Sequence, residues 1–229
     1  PVAPSLVRIL HRLEPHVISI SVIHKLAMWL RNPGATQAIA ELEYIDSCDL
    51  PVLDRLPDWM WRPSIVAAAL CASQSGFALD LLLPPIIRDA SPEIRERILQ
   101  SLRGVRGTED FATRMSRWRE RLTMKLTFPP PPVPGTTRLR PLACGKALVH
   151  EAFEMRNCIA DYAGEVISGK YYFYRWLGED RATVQLEKDK GQWQLAEALG
   201  PGNKGIQPAT FTLIKHLIQE QLGGKPIVA

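Results

Sequence analysis

Apolar residues recur at helical spacing through the first half of the chain. Residues 6–31, LVRILHRLEPHVISISVIHKLAMWLR, carry that pattern on both sides of Pro15, where a helix breaks or kinks. NPG at 32–34 reads as a stop. Further helical patterns cover 36–45, 64–83 (broken near Gly76), 91–103 and 108–126. Ser91 stands before Pro92 as an N-cap stands before a first-turn proline, and Thr108 is followed by two acids that suit a helix start. Short helices divided by Pro and Gly predict an irregular helical array without a nameable repeat.

The pattern then changes. TFPPPPVPG (127–135) has four successive prolines, which neither continue a helix nor pair inside a sheet, and which favour a stiff, extended spacer. The domain boundary is therefore expected here: a helical region over 1–127, a proline-rich linker over 128–135 and a second domain over 136–229. A surface strap across one continuous domain is the alternative. Residues 146–168 are helical in pattern, and Gly169 sits where a left-handed C-terminal residue belongs. KYYFYRWL (170–177), ATVQLE (182–187) and QWQLAEAL (192–199) read as strands separated by short turns, and 208–223 closes the chain as a helix. The expected fold class is α+β: an irregular all-helical N-terminal region, then a helix, a three-stranded antiparallel meander and a second helix.

Composition narrows the class rather than the function. With 229 residues, 46% hydrophobic and 23% charged, the chain can bury a core and is no disordered tail. A net charge of +4 permits contact with nucleic acid without demanding it. Cys48, Cys71, Cys144 and Cys158 are widely spaced and include no CxxC pair, which argues against structural zinc and for reduced thiols in a cytoplasm. No apolar run reaches the length of a membrane span, so no membrane partner is expected. The chain begins at Pro1 rather than methionine, as a fragment of a longer protein does.

Candidate chemistry concentrates on the 146–168 segment. Read as one helix, it places Leu148, Ala152, Met155, Ile159, Tyr162 and Val166 on a core stripe. Glu151, Glu154, Cys158, Asp161 and Glu165 fall on a neighbouring face, with His150, Glu154 and Cys158 stacked on successive turns. A Cys/His nucleophilic site is one interpretation. Against it, two turns put His150 roughly 12 Å from Cys158, and nearby carboxylates disfavour the thiolate. His216 is an alternative partner, and a half-buried structural thiol is the plain one. His150 and Glu154 alone make a weak metal pair, so no metal and no cofactor are expected. By alternation Glu197 shares a face with Trp193 and Leu195, where it needs a partner or a proton if it points inward. GPGN (200–203) offers backbone amides to an anion but lacks the rest of a P-loop.

MRNC-x3-Y, the glycine that ends the helix, RATVQLE, a Trp-led strand and the Gly-x-x-Asn loop together resemble the PcfJ-like proteins of bacterial plasmids and other mobile elements. The resemblance covers about residues 146–205, and matches Asn157, Cys158, Tyr162, Gly169, Gly200 and Asn203 to recurrent positions of that family. Glu197 stands where a glutamine is expected. The family implies a genomic neighbourhood more than a reaction.

Between 103 and 125, seven Lys/Arg face three acids, an excess of four. Arg114, Arg117 and Arg121 share a helical face with Trp118 nearby, a stripe able to neutralise phosphates and stack a base. A solvated helix face is the competing explanation. The expectation is a mobile-element or phage-conflict accessory protein, an adapter for nucleic acid or a protein partner, with self-association also open. The alternative is a Cys-dependent enzyme in which Cys158, His150, Glu197 and Asn203 line a cleft.

Overall fold

A computed structural model describes residue 7, residues 9–77 and residues 83–223. The chain forms two compact units, Pro1–Arg119 and Glu120–Ala229. The class is α+β, with a helical N-terminal region followed by helices around an antiparallel sheet.

The first unit contains α1 (Ile20–Trp29), α2 (Pro33–Glu41), α3 (Asp49–Arg55), α4 (Pro63–Gln74), the single turn α5 (Pro85–Arg88), α6 (Pro92–Ser101) and most of α7 (Gly107–Thr123). Leu26, Ile39, Leu53, Met60, Ile87, Ile98 and Phe111 are among its buried side chains. The NPG expected as a stop also starts a helix. Asn32 Oδ1 accepts from the Gly34 and Ala35 amides at 2.9 and 3.4 Å, and Pro33 occupies the first turn. Ser91 occupies its expected cap position, but its hydroxyl donates to Glu93 instead of capping the backbone. Helix α3 has too short an apolar run to be anticipated. It is nucleated by Asp46, whose Oδ1 accepts from the Cys48 and Asp49 amides, while Asp49 Oδ2 accepts from the Asp46 amide. The end of the expected 64–83 helix, residues 78–82, lies outside the described residues; α4 stops at Gln74.

The second unit is built on a four-stranded antiparallel sheet in the order β1 (Leu139–Pro141), β2 (Tyr171–Leu177), β3 (Arg181–Asp189), β4 (Gln192–Leu199). The expected meander is β2–β3–β4; β1 is the addition, three residues ending at a proline, pairing Leu139 with Trp176. Segment 128–135, expected as the linker, lies in this second unit. Val133 is fully buried, and both its N–H and its carbonyl bond the Tyr174 hydroxyl at 3.0 Å. Burial pushes that hydroxyl's pKa well above the usual tyrosine range. Helices α8 (Gly145–Met155) and α9 (Ala163–Ile167) precede the closing helix α10 (Pro208–Leu222), whose Gln221 accepts from the Gly135 amide.

One face of the sheet is apolar: Tyr172, Tyr174 and Trp176 with Ala182, Val184 and Leu186, all buried, in one core with Ile214 and Ile218 of α10. The aromatic strand therefore fills a core and displays no stacking platform. The other face carries Phe173, Arg175 and Thr183.

Residues 146–168 do not form one helix. Helix α8 ends where Arg156 turns left-handed (φ 51°, ψ 51°) and the Asn157 amide reaches back to the Ala152 carbonyl, a C-terminal cap that redirects the chain. A 3-10 turn over Ile159–Tyr162 and the short α9 follow, and Gly169 then takes its expected left-handed conformation (φ 73°). No described helix is long and apolar enough to cross a membrane.

Candidate functional site

Helix α8 is fixed at its first residue. A Cβ on Gly145 would lie 1.7 Å from the Thr123 carbonyl oxygen, so only glycine lets the two backbones meet. From there the helix buries Leu148, Ala152 and Met155, and with them Glu151, which is 0% exposed. A buried carboxylate must be partnered. Two strands supply the partners: Arg175 Nε and Arg181 Nη2 donate to Glu151 Oε2 at 2.6 and 2.5 Å, and the Thr183 hydroxyl donates to Oε1 at 3.0 Å.

A second layer surrounds this core. Glu154 Oε2 lies 3.0 Å from Arg175 Nη2 and 3.6 Å from Arg181 Nη2, and Glu154 Oε1 lies 3.4 Å from His150 Nδ1. Asn157 Nδ2 donates to the Thr183 hydroxyl at 3.2 Å, and Arg181 Nη1 donates to the Trp176 and Ala182 carbonyls. Two carboxylates thus meet two guanidiniums. Arg175 and Thr183 are cross-strand partners, so the sheet register itself brings the cluster together. Chemically it is a clamp of a helix on a sheet: Glu151 has both oxygens engaged and no substrate-facing opening.

The sequence-derived catalytic set does not share this arrangement. His150 is 63% exposed and rests on Glu154. Cys158 is exposed and precedes the 3-10 turn, so the left-handed Arg156 removes it from the stack with His150 and Glu154. Its neighbour is Tyr162, whose hydroxyl pKa is raised by the nearby Cys158 and then by burial. Glu197 is exposed and faces away from Trp193 and Leu195. The register steps from Leu186↔Leu195 to Gln185↔Glu197, so Ala196 is an extra, bulged residue that breaks the expected alternation. Asn203 is exposed and left-handed (φ 58°) in the Pro201–Asn203 turn, which packs near α8 and is closed by the Gly200 amide on the Lys204 carbonyl at 2.7 Å. His216 is exposed on α10. Among the described residues no hydrogen bond or ion pair joins Cys158 to His150, His216, Glu197 or Asn203, and no group of three His, Cys, Asp or Glu residues is placed to hold a metal ion.

On α7, Trp118 is buried and its indole donates to Ser101 Oγ at 2.7 Å, which occupies the ring assigned to base stacking. Arg114 bonds Asp110 at 2.7 Å and the Ser101 carbonyl. That bond, followed by one from the Arg106 amide, holds the Asp110 carboxyl below the usual range. Arg117 and Arg121 are exposed. An open groove of about 680 Å³ between β4 and α10 is lined by Trp193, Leu195, Lys215, Ile218 and Leu222, with no acid among its lining residues.

Sequence reasoning placed Glu151 on a helix face but missed Arg175, Arg181 and Thr183. The signal was present: an arginine interrupting an aromatic strand, and Arg181 and Thr183 at strand spacing on one face. Comparison of the chain with protein-family models, curated proteins and solved structures gave no match.

Proposed function

We propose that the protein is a non-enzymatic adapter that binds nucleic acid. The observation that carries this proposal is the outward face of α7, where Arg117 and Arg121 are exposed within a segment holding an excess of four cationic residues. Such a face gains affinity by releasing counterions from phosphates. The resemblance of residues 146–205 to PcfJ-like proteins supports a setting on mobile elements or in phage conflict. Against a Cys158 enzyme stand the pairing of His150 with Glu154, with no hydrogen bond from either histidine candidate to the thiol among the described residues, and the fully partnered Glu151.

The test is a gel shift with single- and double-stranded oligonucleotides across a salt series. Retention at low salt, lost as salt rises and weakened about tenfold or more in the Arg117→Glu/Arg121→Glu variant, is expected. Failure to retain any oligonucleotide at low salt overturns the proposal. Cys158→Ser is expected to bind as the wild type does.

A further inference from the structure

Helix α8 has a second face that the clamp does not use. Opposite Leu148, Ala152 and Met155, the residues Lys146, Val149, His150 and Phe153 follow i, i+3, i+4, i+7 spacing and form an outward stripe, with Arg156 just beyond it. Phe153 is 84% exposed, more than any other large apolar side chain among the described residues. A phenylalanine there adds nothing to the core and has poorer helix propensity than the polar residues an outward face usually carries. Neither Lys146 nor Arg156 has a side-chain ion pair or hydrogen bond among the described residues, whereas Arg175 and Arg181 in the same unit are neutralised by Glu151 and Glu154. His150 and Glu154 contact each other at the stripe's inner edge, and the Glu154 charge is already met by Arg175.

Arg156 adds an independent observation. Its left-handed backbone is strained for any residue with a Cβ, and a glycine or asparagine is the usual occupant of that cap. A cation serving only the helix dipole is as effective one turn earlier, without the strain. A long cationic side chain held at this position instead extends from the end of the helix, about 15 Å along the axis from Lys146.

We propose that the outward face of α8 is a contact site for single-stranded nucleic acid, with the Phe153 ring stacking on a base and Lys146 and Arg156 neutralising phosphates on either side. The proposal rests on the nucleic-acid adapter reading and names a second contact for it, in the C-terminal unit. An outward ring set between two cations suits a flat base with phosphates on either side better than a peptide side chain. It reaches that base only in an unpaired strand. This stripe also takes the role that the buried Trp118 does not fill.

Fluorescence anisotropy with a labelled oligothymidylate at low salt tests the assignment in the full chain, with thermal melts confirming that the surface variants fold. Phe153→Ala is expected to weaken binding roughly tenfold, and Phe153→Trp to keep it, with indole fluorescence quenched by the oligonucleotide. Lys146→Glu/Arg156→Glu should flatten the dependence of log affinity on log salt by about 0.7 for each phosphate that is no longer neutralised. Arg156→Gly should raise the melting midpoint while weakening binding. If the wild type binds, Arg117→Glu/Arg121→Glu abolishes binding and Phe153→Ala leaves it intact, the α8 assignment falls and the adapter function stands. If no oligonucleotide binds, both fall. Retention of an acidic peptide in place of the oligonucleotide makes the face a protein contact and overturns the assignment.

Discussion

Among the described residues each unit buries one carboxylate almost completely, and the two are stabilised by opposite means. In the helical unit, Asp49 is held by the Asp46 amide three residues away and by the neutral side chain of Gln74. In the sheet unit, Glu151 is held by two guanidiniums and a hydroxyl from residues 24, 30 and 32 positions away. The first arrangement joins a local turn that shapes one helix start to a single neutral contact from Gln74, 25 residues on. The second exists only when helix and sheet are already docked in register. A local cap supports an element, whereas a distant ion cluster selects one packing of elements among several. The pKa of Asp49 is raised chiefly by burial, with the neighbouring Asp46 charge adding to the rise.

The sharpest way to break this contrast is Glu151→Gln. It leaves two guanidiniums, about a quarter exposed, facing a neutral amide with only Glu154 to balance them. A loss of about 3 kcal/mol in urea unfolding is expected, at the lower end for a broken buried pair because the arginines retain some water. A loss under about 1 kcal/mol shows that the cluster does not hold the helix on the sheet. Asp46→Ala comes next. Removing the acceptor for the Cys48 and Asp49 amides should cost about 1 kcal/mol, with the C-terminal unit's hydrogen-exchange pattern unchanged.

Asp49→Asn is the smallest, below about 1 kcal/mol, and its value is in its pH dependence. The folded-state pKa of Asp49 lies above 3.8, so the native state binds this proton more readily than the unfolded state does. The wild type therefore gains stability from this group as pH falls through the raised value towards 3.8, and gains none below it. Melting midpoints of the asparagine variant minus wild type should be largest at neutral pH and shrink on acidification. A difference that grows as pH falls contradicts burial as the dominant influence.

What the sequence made legible follows the same division. The helix starts expected at Ser64, at Pro92 after its Ser91 cap and at Thr108 fall within a residue of the observed Pro63, Pro92 and Gly107. These, the glycine stop at Gly169 and the three long strands are written in local spacing and turn chemistry. The break at Arg156 was not legible, because an arginine carries no helix-stop signal and the cap depends on backbone conformation. Ala196 was equally silent: a bulge shifts alternation by one residue, and Glu197 changes face without any change in composition. The clamp residues were each visible as polar positions in apolar elements, but their meeting point is set by strand register across 32 residues of chain.

That bulge also limits how the sheet grows. Of its two borders, β1 offers three residues closed by a proline, and β4 offers a rim kinked at Ala196 beside an exposed glutamate. Neither presents the long flat ladder that an incoming strand needs for open-ended polymerisation. Copies of the chain that accumulate at high concentration should therefore stay dispersed as far as sheet extension is concerned, and deleting Ala196 is the shortest route to a sticky rim.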